Sequence, residues 1–179
     1  MKKTINAFDY AGDICKAMKK GILLTTKAGD KVNTMTIGWG MLGIEWGKPI
    51  FIAFVRESRF TKQMLEENGE FTVNIHYGEM DTKILGFCGT KSGRDMDKIA
   101  EMNLTLEEPL SISVPGIREL PLTLECRVLY KQQQDLNAIP QEILDRYYPQ
   151  EVDGSHPGSN RDYHIAYYAE ILNAYIIEA

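Results

Sequence analysis

A chain of 179 residues is long enough to bury one core of its own as a single domain, and 44% hydrophobic with 25% charged residues is ordinary for a soluble globular protein. The net charge of −5 argues against a general nucleic-acid binder, whose phosphate contacts reward clustered Lys and Arg, but it leaves room for one small anion in a locally basic pocket. Cys15, Cys88 and Cys126 are odd in number and form no C-x-x-C pair, so they support neither a zinc site nor a thioredoxin-type motif and read as reduced, mostly buried thiols.

The N-terminal stretch MKKTINAFDYAGD has two lysines but no apolar run behind them, so no signal peptide is expected there. No apolar stretch approaches the roughly 20 residues that span a bilayer, and a cytoplasmic location is expected. Residues 21–26 (GILLTT) read as a strand, residues 28–30 as a turn, and residues 32–39 as a second strand, which together make a hairpin. Pro49 opens a continuously apolar run at 50–55, the pattern of a strand covered on both faces. Ser58 is placed to cap a short helix with Phe60, Met64 and Leu65 on its apolar face, and Asn68-Gly69 stops it.

Residues 71–77 (FTVNIHY) alternate with period two, which predicts a half-buried strand. Residues 80–88 and 95–102 read as two short helices around a Gly-rich link, the second capped by Asp95. Leu122, Leu124, Cys126, Val128 and Tyr130 share one face of a long strand. Residues 140–147 predict a helix with Pro in its first turn, 152–160 a loop, and His164–Ile177 a strand bent or bulged in its middle. Helices do not alternate regularly with strands, so the order points to a mainly β, antiparallel sheet curled into a barrel with inserted helices.

Three stretches could carry chemistry. In VNTMTIGW, residues 32–39, Asn33 is unfavourable in a strand and wants a specific partner; the segment suits a flat heterocycle with a polar edge, or else Asn33 is a turn residue and Trp39 is core. Arg56, Ser58, Arg59 and Thr61 join a strand end to a helix start, where free amides, hydroxyls and guanidinium forks suit a phosphate. The same residues also read as a plain cap with two solvated arginines. The polar loop 89–95, with Lys91, lacks both P-loop and dinucleotide-binding spacing. No zinc-type histidine spacing and no G-x-S-x-G elbow occurs. His164 leads an aromatic strand, where a lone histidine is more often structural than catalytic.

Read in order, N-x-M-T-x-x-W at 33–39, the Pro-led strand at 49–55, R-x-S-R-x-T at 56–61, G-E-F-T-V-N at 69–74, S-G-R-D-x-D-K at 92–98, L-E-C at 124–126 and H-I-x-Y-Y-A-E-I at 164–171 resemble the flavin reductase-like family of FMN-binding split barrels, in the flavoredoxin-type branch. The resemblance covers almost the whole chain. It implies that FMN is the cofactor, with Asn33, Met35, Thr36 and Trp39 lining its ring. Arg56, Ser58, Arg59 and Thr61 would bind its phosphate, Lys91 would be a further cation, and His164 would lie near the open face that a nicotinamide approaches. It also implies a homodimer and two rival activities: an NAD(P)H-dependent flavin reductase, or a carrier reduced by a protein electron partner with no dinucleotide site. A ligand-binding barrel without redox chemistry ranks below both. Two departures stand out: Ala169 replaces a glycine often found before Glu170, and an insertion at 132–162 is expected to cover the flavin or select the electron partner.

Overall fold

The computed structural model, which describes residues 1–78, 81–152 and 161–178, forms around one curled antiparallel sheet. After the short strand β1 (Lys2–Thr4) come helix α1 (Ala11–Lys20) and the hairpin β2 (Ile22–Ala28) and β3 (Lys31–Ile37), closed by Gly29 in the left-handed region. β4 (Gly40–Glu45) and β5 (Lys48–Arg56) form a second hairpin, whose two-residue turn puts Trp46 at φ 53° and Gly47 at φ 71°. Then follow α2 (Phe60–Glu67), β6 (Glu70–Ile75), α3 (Thr82–Thr90), α4 (Lys98–Glu101), the two-residue strands β7 (Leu106–Glu107) and β8 (Gly116–Ile117), β9 (Leu122–Gln133), α5 (Gln141–Tyr147) and β10 (His164–Ile177). No helix among the described residues is long and apolar enough to cross a membrane.

The strand order is β3-β2-β6-β9-β10-β5-β4, with β1 also on β10. β3 and β4 are consecutive in the chain, joined by Gly38 and Trp39, yet they lie at opposite ends of the sheet. The inner face holds the main core, with Leu24, Phe51, Val73, Leu124 and Tyr167 fully or almost fully buried and α1 contributing Ile14. A second cluster joins Leu23 on the other face of β2 to Ile84, Leu85 and Cys88 of α3, and to Ile117 and Leu120. Each such aliphatic side chain contributes about 1.5–3 kcal/mol on burial.

Several sequence expectations change here. β6 is buried on both faces: Thr72 bonds the Pro115 carbonyl and Asn74 accepts from the Ile117 amide, so the β8 segment covers its polar side. In β5 the reverse holds, since Ile52 and Phe54 stay half-exposed. Arg59, not Ser58, is the N-cap of α2, and Asp97, not Asp95, caps α4, accepting from the Ile99 and Ala100 amides. Tyr130 leaves the face of Leu122, Leu124 and Cys126 because the β9–β10 ladder slips one residue between Val128 and Tyr130. A second slip between Ile171 and Asn173 gives β10 the expected irregularities. Residue 80 of the helix predicted at 80–88 and most of the predicted loop at 152–160 lie outside the described residues.

Candidate functional site

As an edge strand, β3 has one row of backbone N–H and C=O groups without a ladder partner among the described residues. Where it ends, Met35, Thr36 and Ile37 turn through Gly38 and Trp39 and form one wall of a cleft of about 230 Å³. β5 supplies Phe54 and Arg56 across the cleft, the start of α2 supplies Arg59, and β10 supplies His164. A neighbouring cleft of about 450 Å³ shares Thr36 and extends towards His76 and Gly86, and another of about 420 Å³ shares Trp39 and Phe54. The central cleft is small, and these two clefts, each of a size usual for small-molecule sites, flank it at the end of β3.

The floor of the cleft is electropositive. Arg56 is only 9% exposed, and burial followed by the neighbouring Arg59 charge lowers its pKa; burial lowers that of Arg59 as well. Arg56 Nη1 donates to the Asp162 carbonyl at 3.2 Å and Arg59 Nη1 to the Gly89 carbonyl at 3.4 Å. Among the described residues neither guanidinium forms an ion pair within 4.0 Å. Two partly buried like charges, bonded to neutral carbonyls and with the Asp162 carboxylate as a counter-charge outside ion-pair distance, are only partly compensated, and an anion between them relieves that cost. The donor set therefore fits a phosphate.

His164 pairs with Arg56 across the β5–β10 ladder, which sets the two side chains next to each other. Desolvation, then the Arg56 charge, lowers its pKa to about 4, so the ring is neutral near pH 7. The Tyr148 hydroxyl lies 2.8 Å from Nδ1 and donates to Gln134 Oε1 at 2.9 Å. With that hydroxyl's single proton spent on Gln134, Nδ1 carries the imidazole proton and Nε2 is an acceptor. Trp39, 39% exposed, tilts against His164 at 4.7 Å between ring centroids and meets Tyr147 and Tyr148 edge-on at 5.5 and 6.3 Å. The end of α5, within the 132–162 insertion, thus closes on the mouth of the cleft.

The remaining expected residues sit around this centre. Met35 belongs to the core while lining the cleft, and the Thr36 hydroxyl bonds the Leu85 carbonyl at 2.6 Å. Asn33, 3% exposed, gives Nδ2 to Thr61 Oγ1 at 3.1 Å, and its Oδ1 is buried without a partner among the described residues. Asn33 and Thr61 therefore tie β3 to α2 behind the cleft rather than lining it. Ser58 faces Asp162, and Lys91 is exposed where α3 ends. Sequence reading missed Phe54 inside an apolar run, and Tyr148 and Asp162 inside the insertion. Only the approach of loop to strand brings them in.

A family model described as "Flavin reductase like domain" matches residues 17–176. An uncharacterised protein of Archaeoglobus fulgidus is 33% identical over 100 residues, 56% of this chain and 55% of that protein. The chain spans about half the length of the curated relatives it matches. Among solved structures, flavoredoxin from Methanosarcina acetivorans is 26% identical with a TM-score of 0.63, covering 88% of this chain and 68% of that one. An FMN-binding domain of a flavin reductases-like enzyme from Shewanella baltica shares the fold, with 14% identity, a TM-score of 0.62, and coverage of 98% of this chain and 77% of that one.

Proposed function

The chain belongs to the flavin reductase-like family of FMN-binding split barrels, and on that premise we propose that it is an NAD(P)H-dependent flavin reductase. The observation that carries this reading is the pair of partly buried arginines, free of carboxylate ion pairs among the described residues, at the end of a groove beside an unpaired strand edge. Arg56 and Arg59 would hold the FMN phosphate, and the edge of β3 would meet the polar rim of the ring. Met35, Trp39 and Phe54 would supply apolar contact. Bound FMN supplies the hydride acceptor. The protein then has to place, desolvate and orient. His164 contributes an acceptor at Nε2 and has no spare proton to donate at neutral pH. Trp39, Tyr147 and Tyr148 exclude water from the mouth.

A carrier reduced by a protein partner is the second reading. The likeness to a flavoredoxin favours it, as do the α5 tyrosines that narrow the space a nicotinamide would enter. Anaerobic mixing of the FMN-loaded protein with NADH or NADPH separates the two. Prompt bleaching of the yellow colour is expected of a reductase. Bleaching only by a reduced protein donor, such as a ferredoxin, identifies the carrier.

The active form on this reading is a homodimer, and residues 1–179 work as one domain of it. β4 ends the sheet, and near its free edge Met41, Ile44 and Trp46 are 57%, 73% and 56% exposed, with Tyr130 beside Trp46. A patch of this kind calls for a partner surface. A cytoplasmic setting agrees with three free thiols.

A further inference from the structure

Just ahead of β10, the Asp162 carboxylate rests on Ser58, in the link between β5 and α2. Its Oδ2 accepts from the Ser58 amide at 3.2 Å and from the Ser58 hydroxyl. The same segment returns two carbonyls to the strand end: Asp162 takes Arg56 Nη1, and Tyr163 takes the Glu57 amide at 3.2 Å. The Asp162 charge also raises the pKa values of both arginines against the effect of burial. An amide just ahead of a helix, a hydroxyl and two guanidiniums suit a phosphomonoester, and here a side chain of the protein already engages the first two.

One amide and one hydroxyl cannot serve a carboxylate and a phosphate at full strength together. The two anions would also repel, since a phosphomonoester carries about −1.5 to −2 charges at neutral pH. We propose that Asp162 is a built-in competitor for the flavin phosphate, seated on Ser58 until FMN displaces it, and so a residue that sets how strongly phosphorylated flavin is preferred over unphosphorylated flavin. The proposal rests on the FMN reading of the cleft. It treats the cofactor's phosphate end as exchangeable by design, with the displaced carboxylate carrying residues 161–163 away from 56–58.

Calorimetric titration of the wild type and of Asp162→Asn, Asp162→Ala and Asp162→Glu tests this, with FMN, riboflavin and inorganic phosphate as ligands and thermal unfolding to confirm folding. The expected result is a gain in FMN affinity on the order of tenfold in the Asn and Ala variants. A parallel gain for phosphate is expected, with no change for riboflavin and no gain in the charge-keeping Glu variant. If wild type binds FMN and folded Asn and Ala variants bind it equally or less tightly, competition is wrong while the flavin reading stands. A gain shared by the Glu variant also overturns it, because charge would not be the cause. If the Asn and Ala variants gain phosphate affinity but no form binds FMN, the competition is right and the flavin reading fails. Binding of neither ligand by any form overturns both.

Discussion

His164 is buried as a neutral ring next to Arg56, and this has a consequence in acid. Its folded pKa, about 4, lies below the ordinary 6.5. Above pH 6.5 both folded and unfolded states hold it neutral, and it adds no pH dependence. Between 6.5 and about 4 the unfolded chain binds a proton that the folded one refuses, so stability falls with pH by up to roughly 3 kcal/mol from this group. Denaturation of wild type and His164→Gln at steps from pH 7 to pH 4.5 should show a shallower loss in the variant; parallel curves would mean the ring is not held neutral. At this scale the sequence was informative where residue type announced chemistry. Arg56 and Arg59 at a strand–helix junction, and His164 at a strand start, converge on one cleft. Asp162 carried no such signal, because a carboxylate becomes an anion in a phosphate-type seat only when a loop 104 residues away in sequence lays it on Ser58.

Between elements, the close approach of the 91–95 loop to β3 decides how the site is braced. A Cβ on Gly93 would lie 2.0 Å from Asn33 Oδ1 and 3.1 Å from the Phe60 ring. Asn33 cannot yield freely, since it is buried and tied to Thr61 in the first turn of α2. Gly93→Ala should therefore cost about 1–3 kcal/mol and loosen the start of α2. Adding Asn33→Ala to it should recover part of the loss, which thermal unfolding of the single and double variants would measure. Element existence was legible wherever apolar periodicity was strong, as in β2, β5, β9 and β10. α1 was overlooked although Ile14, Ala17 and Met18 stand at helical spacing in AGDICKAMKK, and β4 was missed because two glycines break its period. The burial of β6 was misread because its cover arrives from β8, more than 40 residues later.

For the whole molecule, the β4–β5 turn tests the assembly. Trp46 occupies a left-handed position at the first residue of a two-residue turn, where Asn would fit and a bulky ring is strained by roughly 1 kcal/mol. Trp46→Asn should leave the dilute monomer as stable as wild type or more so. If the proposed homodimer is built on this edge, the same change should weaken its association at least about tenfold, as the loss of an aromatic anchor does. Sedimentation across a concentration series would reveal this; an unchanged dimer would move the interface elsewhere. The separation of β3 from β4 has a larger meaning. Gly38 and Trp39 link the two end strands of the sheet directly, and the cleft opens beside that link. On the proposed reading, a flavin ring lodged there would brace the two sheet edges against each other. The cofactor would then be a piece of architecture as well as a reagent, and the chain without it should breathe at its split.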